Sequence, residues 1–308
     1  MPQDRVSWVM LVTMVRSSVQ VVAHRGASEV AAEHTLVAYR TAIEHGADAL
    51  EADVRLTRDG VLVCVHDRRV NRVSDGRGSV SSLELADLID LDFSSWKTEP
   101  DRRVSTGSVF RPDRRRAGDR RRSPRTAGDR VEVVDRDGAG VLTLDRLVEL
   151  ARDSGKDGRA VQLHIETKHP TRYGGFVELA LVDLLEVHGL AHPQSRADSP
   201  VTVMSYWAAS LRRIHRLAPV LPTVYLMNSV PSRYRDGSLP TGVTIAGPSL
   251  AVLRASPSYV ARLHDRGHRV HVFTVNDLAD IDFVLGLGVD AIISNAPDRV
   301  LRRLGRTQ

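Results

Sequence analysis

The chain has 308 residues, 42 % of them hydrophobic and 26 % charged, with a formal charge of +5. That composition is globular and excludes a disordered or fibrous chain; the length suits one large α/β domain or two ordinary ones. A lone cysteine, Cys64, excludes an internal disulfide and fits a reducing, cytoplasmic setting.

The first 18 residues read as an extension. Their apolar run "WVMLVTMV" (8–15) falls well short of the ~20 residues that span a bilayer, and no small-x-small cleavage site follows it. No transmembrane segment is expected. A domain is expected over 19–308, interrupted at 97–137 by an Arg-rich insertion. Within it, residues 101–136 carry 12 Arg against 6 acidic residues, so the positive charge belongs to this segment and the rest of the chain is close to neutral. The segment is rich in Pro, Gly and Ser and poor in periodic apolar residues, so it is expected to be disordered. Nucleic acid is therefore not the expected partner of the folded body.

Eight β-rich runs follow one another along the chain, at 19–25, 49–54, 160–168, 201–206, 223–227, 243–247, 268–275 and 290–295. Amphipathic stretches such as "TLVAYRTAIEHG" and "TLDRLVELARDSG" lie between several of them, and several end in Gly, as helices do. Eight such units over this length predict an α/β fold of the (β/α)8 TIM-barrel type. No G-x-G-x-x-G follows the first strand, which argues against the doubly wound alternative.

Barrel enzymes build their sites at the C-terminal ends of the strands. His24 and Arg25 end the first run, Glu51 and Asp53 the second, Glu166 and Lys168 the third. After the second, Asp59-Gly60 predicts a two-residue hairpin; unbroken pairing from it sets Asp53 opposite His66. Three carboxylates on one rim are most easily reconciled by a hard divalent cation, Mg²⁺ or Ca²⁺. Two histidines suit an acid–base pair, and Arg25 and Lys168 suit a phosphate. Metal, cations and acid–base pair together describe phosphoester cleavage. His164 reads as a core or supporting histidine; His169, His188, His192, His215, His264 and His268 read as surface groups. Tyr206 and Trp207 read as pocket wall or core.

The stretch "AHRGASEVAAEHTLVAYRTAIEHGADALEADVRLTRDGVLVCVHD" resembles the glycerophosphodiester phosphodiesterases, with their H-R-G, P-E-N-T, E-x-D-V, T-x-D-G and H-D motifs. The resemblance continues through "HIETK" (the family's E-x-K), "VTVMSYWAASLRRI" and "HVFTVNDLADIDFVLGLGVDAIISNAPDRV". It implies a (β/α)8 barrel with a short insertion after the second-strand hairpin. It also implies metal ligation by Glu51, Asp53 and Glu166, acid–base catalysis by His24 and His66, phosphate binding by Arg25 and Lys168, and support from Glu33. The implied reaction is metal-dependent hydrolysis of a small glycerophosphodiester to glycerol 3-phosphate and an alcohol. Alternatives are a lysophospholipid or phosphoinositide-type diester, or a weakly active barrel that binds polyanions through the Arg-rich segment. Three departures stand out: His34 for the Asn of P-E-N-T (with Ala32 for its Pro), Phe273 for a Trp, and Ser294-Asn295 for Thr-Asp. None replaces an implied ligand or acid–base group, so their effect is expected on substrate fit.

Overall fold

The structure, a computed structural model, describes residues 19–98, 139–154 and 161–306. The expected N-terminal extension and nearly all of the Arg-rich insertion lie outside the described residues. Eight strands, β1 (Gln20–His24), β2 (Ala49–Leu56), β4 (Gln162–Thr167), β5 (Val201–Ser205), β6 (Thr223–Met227), β7 (Ile245–Pro248), β8 (Arg269–Val272) and β9 (Ala291–Ser294), pair in parallel. The pairing of β1 with both β9 and β2 closes them into a barrel. A short strand, β3 (Leu62–Cys64), runs antiparallel to β2 outside the ring. The fold is the expected (β/α)8 barrel.

Eight of the helices among the described residues lie between strands of the ring or after the last of them: α1 (Leu36–Glu44), α4 (Leu144–Ser154), α5 (Phe176–Val187), α6 (Ala208–Leu217), α7 (Leu250–Ala255), α8 (Tyr259–His264), α9 (Leu278–Gly286) and α10 (Pro297–Arg303). The first is started by Thr35, whose hydroxyl accepts from the Ala38 N–H at 3.2 Å and satisfies one of the free amides of the first turn. Between β3 and α4, two short helices, α2 (Leu85–Ile89) and α3 (Ser95–Thr98), fold with Val70, Val80 and Phe93 over Val63 and Val65. This is the short insertion expected after the second-strand hairpin.

The barrel interior is filled by Val22, Ala49, Met204, Val224, Leu226, Ile245, Ala291 and Ile293. A second pair of clusters packs the outer faces of the strands against helices, with Tyr39, Leu50 and Leu181 in one and Tyr259, Val270 and Ile292 in the other. Burial of apolar area on both faces of every strand is what makes the parallel sheet read as near-continuous hydrophobic runs in sequence.

Among the fillers are two histidines. His164 and His271 stack inside the barrel, ring centroids 5.3 Å apart and 11° from parallel, each 1 % exposed. His164 is thus the core histidine expected from its place on the strand. Burial, then Arg269, pushes the His164 ring down to about 3. Burial, then His164 and Arg269, pushes His271 well below the usual range. Both therefore stay neutral when folded, whereas in the unfolded chain each takes a proton near pH 6.5. Stability from these two is fully present above that pH and falls as pH drops below it, by up to about 1.4 kcal/mol per pH unit for each ring. Urea unfolding at pH 7, 6 and 5 checks this, and His271→Leu is expected to lessen the slope by one ring's share. An unchanged slope in that variant would show that His271 is not the group responsible.

The hairpin corrects one expectation. Leu56 pairs with Leu62, Arg55 with Val63 and Val54 with Cys64, one residue out of the predicted register. The turn has three residues, not two: Thr57 N–H donates to Val61 O at 2.9 Å, and Gly60 takes the left-handed conformation (φ +85°) that closes such a loop. Thr57 Oγ1, bonded to Asp59 Oδ1 at 2.7 Å and to the Val61 N–H at 2.9 Å, selects the longer turn. Val65, not His66, therefore lies opposite Asp53, with its N–H on the Asp53 carbonyl at 2.9 Å.

Candidate active site

Parallel register brings the rim together. His24 is the cross-strand neighbour of Glu51, and Asp53 is the neighbour of Glu166. In-register residues of parallel strands share a face, so all four side chains point into the C-terminal mouth of the barrel. That mouth holds a cleft of about 360 Å³, lined by His24, Arg25, Glu51, His66, Glu166, Lys168, His169, Tyr206, Trp207 and Phe273 among others.

Glu51, Asp53 and Glu166 each place a carboxylate oxygen within 4.8 Å of the other two. They are 1 %, 1 % and 7 % exposed. Their charges cannot all be carried bare at that separation. Burial, then Asp53, pushes Glu51 well above the carboxylate range and Glu166 up to about 8. Burial also opposes ionisation of Asp53, but Lys168, His34 and Arg25 outweigh it and hold Asp53 well below that range. Lys168 Nζ stands 2.8 Å from Glu166 Oε1 and 3.3 Å from Asp53 Oδ1. Asp53 Oδ1 accepts no hydrogen bond. An all-oxygen donor set with a buried, incompletely partnered oxygen fits a hard divalent cation.

Arg25 lies in the left-handed region (φ +57°), followed by Gly26 (φ +82°). A Cβ on Gly26 would stand 2.6 Å from the Ala38 carbonyl carbon, so the turn presses the chain onto α1 and only glycine fits. The turn aims the Arg25 guanidinium back at the carboxylates: Nε is 3.0 Å from Asp53 Oδ2 and Nη1 3.1 Å from Glu33 Oε1, while the Arg25 N–H donates to Glu51 Oε2 at 3.0 Å. Glu33 is gripped in turn by Arg72 through two bonds, 2.7 and 3.0 Å.

Two of the cleft histidines, His24 and His66, each have a partner that orients the ring. His24 Nδ1 lies 2.6 Å from Asn295 Oδ1. An amide oxygen only accepts, so Nδ1 carries the proton and Nε2, 4.0 Å from Glu51 Oε2, is left as the basic nitrogen. Burial, then Arg25, pushes this ring down to about 4. His66 Nδ1 lies 2.7 Å from Asp67 Oδ1, and Arg55 holds the His66 carbonyl with bonds of 2.8 and 3.0 Å. The residue is past the end of β3, so strand alternation no longer governs it. That is why His66 reaches the cleft although the predicted pairing with Asp53 is absent.

Two of the three departures lie outside the cleft wall, contrary to the expectation that they bear on substrate fit. His34, 5 % exposed and left-handed (φ +60°), bonds Asp53 Oδ2 through Nε2 at 2.9 Å and the Tyr39 hydroxyl through Nδ1 at 2.8 Å. Asn and His are both enriched at such backbone positions, and here the side chain steadies Asp53 from behind. Asn295 steadies His24. Phe273 alone lines the cleft, edge-on to Tyr206 at 5.9 Å. Asn295→Ala is accordingly expected to lower kcat about 10- to 100-fold with little change in KM. Asn295→Asp, which keeps an acceptor but a charged one, is expected to recover activity with the low-pH limb of the kcat profile, where His24 titrates, moved to higher pH. Steady-state kinetics on the two variants check it.

Two histidines expected at the surface are buried. His188 bonds Asp145 at 2.6 Å with 2 % of its side chain exposed, and His169 bonds Glu178 at 2.8 Å with 5 % exposed. Sequence reasoning also missed Tyr39, Arg72 and Asn295 as supports. Only Asp67 left a signal, as the second residue of H-D.

Fold and rim together define a (β/α)8-barrel enzyme whose site couples buried carboxylates with paired histidines and cations. The chain matches the sequence model of the glycerophosphoryl diester phosphodiesterase family over residues 24–299, and it belongs to that family. It is 43 % identical over 281 residues to a Mycobacterium tuberculosis protein named probable glycerophosphodiester phosphodiesterase 1, covering 91 % of this chain and 90 % of the relative. A Bacillus subtilis glycerophosphodiester phosphodiesterase is 32 % identical over 281 residues, covering 90 % and 83 %. Among solved structures, an Oleispira antarctica phosphodiesterase in complex with sn-glycerol-3-phosphate superposes with a TM-score of 0.72 at 24 % identity, covering 94 % and 99 %. Among the described residues, no helix is long and apolar enough to cross a membrane.

Proposed function

We propose that the chain hydrolyses glycerophosphodiesters to glycerol 3-phosphate and an alcohol. The observation that carries this reading is the rim itself: three buried carboxylates within 4.8 Å of one another, with two separately oriented histidines and two cations on the same cleft. Arg25 and Lys168 hold the phosphoryl oxygens and neutralise charge as it develops. His24 accepts the proton of the attacking hydroxyl at Nε2. Attack by water gives glycerol 3-phosphate directly. Attack by the neighbouring hydroxyl of the glycerol gives a cyclic phosphate, which water then opens to glycerol 3-phosphate with the two histidines exchanging roles. His66 protonates the departing alcohol oxygen, with Asp67 stabilising the ring while it carries the proton. Glu33 and Arg72 fix the approach of Arg25. Glu51, Asp53 and Glu166 would hold Mg²⁺ or Ca²⁺, which when bound supplies Lewis-acid polarisation of the phosphoryl group.

The test is release of glycerol 3-phosphate, measured by a coupled dehydrogenase assay, from glycerophosphocholine and glycerophosphoethanolamine with added Mg²⁺ or Ca²⁺. No product from either diester under any of these conditions would sink the reading.

A further inference from the structure

Beyond the groups given a role above, the cleft contains one more oriented histidine. His169 follows Lys168 directly and lines the cleft, yet its side chain is 5 % exposed because it is packed between two other groups. Its Nε2 lies 2.8 Å from Oε1 of Glu178, a carboxylate on α5 that is completely buried. Arg213 of α6 reaches the same oxygen at 3.4 Å, and Oε2 has no hydrogen-bond partner. The Trp207 indole covers the imidazole at 5.6 Å between centroids, tilted 34°, and is itself 48 % exposed at the cleft edge.

A buried carboxylate is costly, and a well-packed apolar group of the same volume often serves stability as well or better. What Glu178 provides that an apolar group does not is an acceptor that fixes the imidazole. Because a carboxylate accepts, His169 Nε2 carries the proton, and in the neutral ring Nδ1 is then a hydrogen-bond acceptor. The exposure of Trp207 shows that this end of the cleft opens to solvent. An open end suits the part of a diester that varies in size, the alcohol head group. The flanking indole offers a flat face to the same group.

We infer that His169, aligned by Glu178 and covered by Trp207, is the hydrogen-bond acceptor for a hydroxyl or primary ammonium group on the leaving alcohol. It makes the open end of the cleft a subsite for donor-bearing head groups, ethanolamine or a polyol, over quaternary ammonium. This rests on the phosphodiesterase reading above.

Two substitutions separate binding from structure. His169→Gln keeps a donor within reach of Glu178 but loses the acceptor at the Nδ1 position, whereas His169→Asn puts an amide oxygen there. For glycerophosphoethanolamine, His169→Gln is expected to lower kcat/KM about tenfold, the size of one hydrogen bond, chiefly through KM, with His169→Asn recovering most of it. For glycerophosphocholine, which has no donor on its head group, the loss in each variant is expected to be severalfold smaller than for glycerophosphoethanolamine, and His169→Asn should give no recovery over His169→Gln. Equal losses on the two diesters, or no loss on either, would overturn the assignment. The unsubstituted protein supplies an independent arm: O-phosphoethanolamine should inhibit at least several-fold more tightly than phosphocholine, and equal inhibition overturns the subsite even if a variant fails to fold. Failure of the wild type to release glycerol 3-phosphate from both diesters would instead refute the phosphodiesterase reading itself.

Discussion

Replacing His24 or His66 with alanine lowers kcat for glycerophosphodiester hydrolysis by about 10²- to 10⁴-fold in each case, the range that a positioned acid or base contributes. In the proposed mechanism the two rings have opposite duties. His24 is driven toward its neutral form by burial and by the Arg25 charge, and Asn295 offers it an uncharged acceptor that fixes the tautomer without drawing a proton onto the ring. His66 is also lowered by burial, yet it has a full carboxylate, Asp67, bonded to Nδ1. Burial opposes ionisation of Asp67, but Arg72 and His66 hold it at about 2, so the charge that favours a protonated His66 persists at neutral pH. Neither ring is a core element: their side chains are 17 % and 35 % exposed. The melting temperature of both variants is therefore expected to stay within a few degrees of wild type, about what a mild surface substitution costs. The double variant should lose little more than the worse single one, because an acid and a base acting in one proton transfer sequence are not independent. Steady-state kinetics with thermal melts on all three proteins checks this, and full activity in either single variant would remove that histidine from the mechanism.

The barrel was legible because most positions of its strands are buried on both faces and so appear as short, largely apolar runs. Strand ends were legible too, since His24, Glu51, Asp53 and Glu166 are polar exactly where apolar packing stops and the mouth begins. The hairpin register was not, because Asp59-Gly60 signals both the two-residue turn and the three-residue turn that Thr57 selects through its hydroxyl. His169 and His188 are unremarkable in sequence; each is bonded to a carboxylate on another element, Glu178 or Asp145, 9 and 43 residues away. The same holds for Asn295, which meets His24 across 271 residues, and for Arg72, which meets Glu33 across 39. Pairs at such separations are made by the closure of the barrel and by the insertion folding over its rim. A reading that follows the chain locally meets each partner without the other.

Divalent cation should raise the melting temperature of the wild-type protein, and Glu166→Gln should abolish both that rise and the cation-dependent activity. Binding to the folded state alone stabilises by about 2.7 kcal/mol at a hundredfold excess over Kd, several degrees for a chain of this size. Glu166 is the informative position. It is one of the three carboxylates proposed to hold the cation, and Lys168 Nζ lies 2.8 Å from its Oε1. Pushed up to about 8, Glu166 is already largely protonated at neutral pH without a cation, so a neutral amide of the same shape should leave the cation-free protein about as stable as wild type without cation. Asp53 is the opposite case. It meets Arg25 at 3.0 Å, His34 at 2.9 Å and Lys168 at 3.3 Å, all while 1 % exposed. Asp53→Asn leaves those partners facing a neutral group and should cost about 3–5 kcal/mol of stability, as breaking a buried ion pair does, besides losing activity. Comparing thermal melts of the two variants with and without Mg²⁺ or Ca²⁺ separates a carboxylate needed to hold the cation from one needed to hold the fold. If neither cation moves the wild-type transition and a chelator leaves hydrolysis unchanged, the three carboxylates serve Arg25 and Lys168 alone, and the ion-pair network is the whole of their function.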